Sequence, residues 1–271
     1  MDAVKDGARA VLKGLHVDGK VMRVRDRQLA RRAAKRAPRR MAPDGMPIPP
    51  DELISQVAGP LSAEVFLNGG AMGRRTIAET LARNGVAIDE VGALLDFGIG
   101  CGRVARHWQG IPAEVHGADY NESLVAWCQE NLPHVQAVAN RLEPPLPFPD
   151  ARFDLVYALS VFTHLTDDQQ RSWIKELGRV TRPGGHVLFT THGPTFPHSD
   201  ASFRTPEIQA RLAQGELIVF EPGHAGRNYC AALHPHSWVL ENMLDGFELI
   251  DYVERGADMN GGQDLYLLRR L

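Results

Sequence analysis

The sequence predicts an α/β fold built on a mostly parallel sheet. Three observations carry this expectation. From about residue 90, short apolar runs alternate with amphipathic stretches, which is the pattern of successive βαβ units. The run "FDLVYALS" is apolar nearly throughout, as a strand buried on both faces should be. Finally, "LLDFGIGCGR" at 94–103 puts three glycines directly behind an apolar run. Glycine there permits a tight turn and close backbone approach at the carboxyl end of a strand, where open α/β sheets bind ligands.

The elements follow in order. Residues 1–40 read as helical up to Pro38. "APDGMPIPPDE" then places four prolines in eleven residues, the mark of an extended linker. Residues 51–84 read as two helices broken at Asn68-Gly69-Gly70. "GALLDF" is the first strand, and Arg103–Trp108 starts the helix behind it. "AEVHGAD" is the second strand, followed by the helix "NESLVAWCQENL" with Asn121 as N-cap. "HVQAVA" and "FDLVYALS" are the third and fourth strands. "TDDQQRSWIKELGRVT" is a helix capped by Thr166, and "PGG" precedes the fifth strand, "HVLFTTH". A helix near "HSWVLENML" and the strands "FELIDYV" and "DLYLLRR" complete the chain. Three regions result: a basic N-terminal segment with its linker (1–50), a helical cap (51–89) and the α/β domain (90–271).

Composition narrows the classes. At 271 residues, 44% hydrophobic and 23% charged, the chain suits one large globular domain with additions. No apolar run approaches the ~18 residues of a membrane helix, and the start lacks a signal peptide's apolar core. Cys101, Cys128 and Cys230 form no Cys-x-x-Cys pair, which points to a reducing, cytoplasmic setting and away from a zinc cluster. The net charge of −3 conceals +9 in residues 1–40 and −12 in the rest. The basic block suits nucleic acid or an anionic surface; a solvated helix or tail is the plainer reading.

The glycine loop discriminates among ligands. A dinucleotide fingerprint is Gly-x-Gly-x-x-Gly, but its last position is occupied here by Arg103, and no Gly-Lys-Ser/Thr follows to make a P-loop. Instead Asp96 stands two residues before Gly98, in the pattern Asp-x-Gly-x-Gly-x-Gly. Asp119 ends the second strand, where a carboxylate can accept both hydroxyls of a ribose. These features suit a nucleoside with a free ribose diol and an amino-acid-like tail.

At these residues the sequence resembles the class I S-adenosylmethionine-dependent methyltransferases, over roughly 90–271. "LLDFGIGCGR" is similar to their first motif and "HGADYNESL" to their second. "NRLEPPLPFPDARFDLVYALSVFTHL" resembles the adenine loop and fourth strand, and "LGRVTRPGGHVLFTTHG" the helix, turn and strand that follow. The resemblance implies a Rossmann-like sheet of seven strands, helices on both faces, with "DLYLLRR" as the one antiparallel strand. It implies S-adenosylmethionine as cofactor. Gly98, Gly100 and Gly102 then wrap the methionine part, and Asp96 orders that loop and reaches toward the amino group. Asp119 holds the ribose, Tyr120 packs near the adenine, Asn140, Arg141 and Leu142 border it, and Ser160 and Val161 lie under the sulfonium. The family usually carries aspartate where Asn140 stands.

Methyl transfer depends above all on positioning. A hydroxyl acceptor also needs a base, and histidine suits neutral pH. His164, behind the fourth strand, is the first candidate; a purely structural histidine is the alternative. His192, ending the fifth strand, is the second. Six of the eleven histidines fall within 186–236. Residues 193–235 read as a largely irregular insertion after the fifth strand, too long for a passive loop and suited to a substrate lid. His234 and His236 make a metal site conceivable, but no acidic ligands accompany them. Cys101 reads as a small filler. Three functions compete: a methyltransferase acting on a hydroxyl of a sugar, glycan or secondary metabolite; an RNA methyltransferase gripping through the basic N-terminus; and a cofactor binder without chemistry.

Overall fold

The computed structural model describes residues 40–58, 62–196, 203, 205–227, 229–258 and 261–271. The expected basic helix at 1–40 lies outside the described residues, apart from Arg40.

Seven strands form the main sheet: β1 (Ala93–Phe97), β2 (Glu114–Asp119), β3 (Val135–Ala139), β4 (Phe153–Ala158), β5 (Thr181–Thr191), β8 (Phe247–Ala257) and β9 (Gln263–Arg270). Their order is β3-β2-β1-β4-β5-β9-β8. Strands β1 to β5 pair in parallel, and β9 runs antiparallel to both neighbours. "DLYLLRR" is thus the reversed strand. Strand order turns back between β1 and β4, so their carboxyl ends flank the topological switch point.

Side-chain alternation explains the layering. Leu95 and Phe97 face a core shared with Trp173, Ile174 and Leu177 of helix α4 (Asp167–Val180) and with Trp238 and Val239 of α6 (His236–Asn242). Helix α3 (Glu122–Asn131) starts at Asn121, whose side chain accepts from the Ser123 N–H. Helix α4 starts with a capping box between Thr166 and Gln169. Both starts follow the cap signals of the sequence.

Three local expectations are corrected. Helix α1 (Asp51–Ala58) is followed by α2 (Ala63–Arg83), which runs unbroken through Asn68-Gly69-Gly70. A side chain at Gly70 would collide with the Arg103 carbonyl and the His107 ring. This glycine is a packing notch, tolerated because tertiary contact outweighs its helix cost of about 1 kcal/mol. Second, Arg103–Trp108 yields only a short 3-10 turn, Ala105–Trp108. Third, the Pro-rich stretch is docked. The Arg106 guanidinium, 1% exposed, grips both Asp44 oxygens at 2.9 Å and the Pro47 carbonyl at 3.2 Å. A buried guanidinium needs such partners, and bidentate geometry suits a carboxylate. Within 193–235 the described residues include helix α5 (Pro206–Ala213) and a small sheet of β6 (Ile218–Phe220) and β7 (Ala231–Leu233). Thr205 caps α5 with Pro206 in its first turn, a start signal present in "TPEIQARLA".

Candidate functional site

The carboxyl ends of β1, β2, β3, β4 and β5 bring the expected residues to one edge of the sheet. Behind β1 the backbone reverses, and the Gly98 and Ile99 N–H groups both donate to the Ala118 carbonyl, at 2.8 and 3.1 Å. The Gly100 N–H donates to Asp119 Oδ2 at 2.9 Å, and the Asn121 N–H donates to Oδ1 at 2.8 Å. Each Asp119 oxygen keeps a lone pair for a further donor. Asp119 is buried, and burial raises its carboxyl above the ordinary range while the two N–H groups oppose.

The three glycines are packed against protein. A Cβ on Gly98 would strike Val161, and one on Gly102 would strike Leu132. Gly100 sits at φ +57°, and a Cβ there would lie 2.7 Å from Val57 Cγ2. The loop is therefore clamped by α1, by Val161 behind β4 and by the turn after α3.

Asp96 points to the other side of β1. Its carboxyl is pushed up to about 7, chiefly by burial, with nearby Asp119 adding; Tyr157, Arg103 and the Ala105 N–H oppose. The Tyr157 hydroxyl that donates to Asp96 itself accepts from Trp108 Nε1 at 2.9 Å. Beside β3, Asn140 is fixed by its N–H to the Asp119 carbonyl at 3.0 Å and by its Nδ2 to the Arg141 carbonyl at 2.6 Å. Its Oδ1 is buried and has no hydrogen-bond partner among the described residues. Such an atom is costly unless a donor arrives. Tyr120 and Leu142 meet across Gly226. Arg141 is exposed.

The other half of the site lies behind β4 and β5. Ser160 is held at φ +60°, uncommon for a residue with a Cβ. Its N–H donates to Thr190 Oγ1 at 2.9 Å, and its hydroxyl lies 2.8 Å from Gln263 Nε2. The same Nε2 reaches His192 Nε2 at 3.1 Å. An amide N–H can only donate, so this contact makes His192 Nε2 the acceptor and puts the ring proton on Nδ1. Phe196 stacks on His192 at 4.0 Å. The His164 ring stands 6.5 Å from that of His192, edge to face. His164 Nδ1 lies 2.7 Å from the Cys230 carbonyl. A carbonyl only accepts, so Nδ1 carries the proton and Nε2 is left with its lone pair. Burial lowers the His164 pKa, and the carbonyl opposes.

Other histidines are engaged elsewhere. His234 is buried, faces Gln170 Oε1 at 2.8 Å, and burial pushes its pKa down to about 3. His236 stacks on Tyr252 at 4.0 Å and meets the Tyr266 hydroxyl. Burial pushes the Cys101 thiol up to about 12, as suits a filler. Residues missed by sequence reasoning are Val57, Tyr157, Thr190, Gly226, Cys230 and Gln263. Of these only Gln263 left a trace, as a polar residue opening an apolar strand.

Comparison with known proteins agrees with this geometry. A family model described as "Methyltransferase domain" matches residues 95–189. Malonyl-[acyl-carrier protein] O-methyltransferase of Pseudescherichia vulneris is 37% identical over 36% of this chain and 38% of its own. Ubiquinone/menaquinone biosynthesis C-methyltransferase UbiE of Laribacter hongkongensis is 28% identical over 59% of this chain and 68% of its own. The chain thus spans well under half the length of the first of these relatives. Among solved structures, a glycopeptide N-methyltransferase complexed with S-adenosyl-L-homocysteine superposes with a TM-score of 0.51, covering 74% of this chain and 90% of that one at 17% identity. The last shows the fold alone. These matches support a class I S-adenosylmethionine-dependent methyltransferase domain over residues 95–189.

Proposed function

We propose that the chain transfers a methyl group from S-adenosylmethionine to a hydroxyl of a small-molecule acceptor, a sugar, glycan or secondary metabolite. The observation that carries the hydroxyl is His164: the Cys230 carbonyl holds its proton on Nδ1, leaving Nε2 to take the acceptor's proton. The name of the first relative, an O-methyltransferase, supports oxygen as the acceptor atom.

The residues present fit the cofactor. The free lone pairs of Asp119 suit two ribose hydroxyls, and the unpartnered Asn140 Oδ1 suits the adenine amino group, as the family's usual aspartate would. Tyr120 and Leu142 border the adenine; Asp96 and the loop of Gly98, Gly100 and Gly102 hold the methionine end; Ser160 and Val161 lie toward the sulfur. Arg141, being exposed, contributes through its backbone. Bound there, the cofactor supplies a methyl carbon activated by positive sulfur. His192, whose Nε2 is occupied by Gln263, lines the acceptor side, and Phe196 excludes water beside it.

Asp119→Ala is expected to weaken S-adenosylmethionine binding at least tenfold, since hydrogen bonds to a charged acceptor are worth about 1.5–3 kcal/mol each. Calorimetric titration checks this; unchanged affinity in a folded variant removes Asp119 from the site.

Asp96 gives the binding a pH dependence. A cationic amino group favours its ionised form, but in the free protein the carboxyl titrates at about 7. As pH falls through that value, protonation competes with the ligand, so affinity should drop by up to about tenfold per pH unit. Binding at about pH 6.5 should release protons, visible as a buffer-dependent heat. A flat affinity between about pH 5.5 and 7.5 would separate Asp96 from the amino group.

The function itself is tested by incubating wild type and His164→Ala with labelled cofactor and panels of hydroxyl, amine and carbon acceptors. Transfer to hydroxyls that fails in the variant supports the proposal. Transfer confined to amines, equally fast in both, contradicts it.

A further inference from the structure

We infer that Glu221–Arg227 together with Tyr229 and Cys230 form a strap that positions His164, and that Tyr120 is its anchor. The inference rests on the reading of His164 as the base. Three contacts carry it. The Gly226 N–H donates to the His164 carbonyl at 2.7 Å. The Gly226 carbonyl accepts from the Tyr120 hydroxyl at 2.6 Å. The Cys230 carbonyl accepts from His164 Nδ1 at 2.7 Å. The backbone of Gly226 and Cys230 thus holds the main chain of His164, its ring and the Tyr120 side chain just behind β2.

The strap lies close on the cofactor side. Gly226 adopts φ +78°, and a Cβ there would stand 2.6 Å from Leu142 Cδ1 and 3.3 Å from Tyr120 Cε1. Only glycine accepts both that backbone and that approach. Glu221, entering the 3-10 turn Pro222–His224, is also left-handed, at φ +48°. The path is therefore specified at two positions, and its far end is fixed where β7 bridges His192 through Leu233.

The consequence is chemical. With the strap in place, the Cys230 carbonyl keeps the proton on Nδ1 and the lone pair on Nε2. With the strap displaced, Nδ1 loses its acceptor and the ring is free to exchange tautomers and to rotate. Tyr120 and Gly226 touch no reacting atom; they are positioning residues acting through the backbone. A ligand packed against Tyr120 and Leu142 favours the strapped arrangement, so occupation of the nucleoside half of the site also sets the base in the acceptor half.

Imidazole NMR on ¹⁵N-labelled full-length protein tests this, with the His164 signal assigned by its loss in His164→Asn. Wild type should show His164 as the Nδ1–H tautomer with a slowly exchanging ring proton. Tyr120→Phe keeps the ring and loses one hydrogen bond, and should speed that exchange roughly fivefold at an unchanged thermal midpoint. Gly226→Ala forces a side chain into a left-handed position and should speed it by about tenfold or more. Adding S-adenosylhomocysteine to wild type should slow exchange further. Unchanged tautomer and exchange in Tyr120→Phe would overturn the inference, whether or not Gly226→Ala folds. Calorimetric binding of S-adenosylhomocysteine without slower exchange would overturn the coupling between the two halves. A wild type that binds no S-adenosylhomocysteine would instead overturn the cofactor reading, while the two variants still decide the strap.

Discussion

Replacing Gly100 with valine should cut S-adenosylmethionine affinity by about 10²-fold or more while the sheet stays folded. Two penalties act together. The residue sits at φ +57°, where a β-branched side chain is strained, and its Cβ would stand 2.7 Å from Val57 Cγ2. The loop must move or α1 must lift. Either movement disturbs the Gly100 N–H bond to Asp119, which aims the carboxylate proposed for the ribose. Strands β1 and β2 remain paired through Ala93–Phe97 and Glu114–Ala118, so circular dichroism should barely change. Val57→Ala adds a control: it removes the obstacle but not the strain, and should restore part of the affinity of Gly100→Val. A Gly100→Val protein that binds the cofactor normally would show that the loop is not the binding loop.

Replacing His164 with alanine should slow methyl transfer to a hydroxyl by about 10²–10⁴-fold. Cofactor affinity should move little, because the ring faces His192 and Cys230. His164→Asn should be nearly as slow, since an amide can hydrogen-bond but cannot take the proton. The pH–rate profile carries the sign. The base works when neutral, so wild-type activity should fall as pH drops through the histidine's pKa. Burial lowers that pKa, so the acid limb should lie below the ordinary value of about 6.5. The variants should lack this limb. Wild-type turnover in His164→Ala would make the ring structural and leave positioning as the source of the rate, as for an amine or carbon acceptor.

The parts of the fold that were legible in the sequence are those with short-range signals. Strands β1, β2 and β4 announce themselves as apolar runs, α3 and α4 by their caps, and the ligand end of the sheet by a glycine loop framed by Asp96 and Asp119. What escaped depends on contacts between distant residues. Gly69 and Gly70 look like helix breakers until the Arg103 carbonyl is seen lying against Gly70. The prolines at 43–50 look like a linker because nothing local reveals that Arg106 grips Asp44 across 62 positions. Val57 carries no mark of its seat on Gly100. Gln263 enters the acceptor half only because β9 runs backwards, which delivers its first residue to the carboxyl end of β5. Cys230 acts through a carbonyl, and main-chain groups are the same at every residue.

The most direct measurement is a crystal structure of the protein with S-adenosylhomocysteine. The adenosine should lie across the carboxyl ends of β1 and β2, with both ribose hydroxyls on Asp119, the adenine amino group on Asn140 Oδ1 beneath Gly226, and the sulfur facing Ser160 and His164. A ligand bound elsewhere, or one bound here with Asp119 turned away from the ribose, would contradict the assignment of this edge of the sheet as the methyl-transfer site.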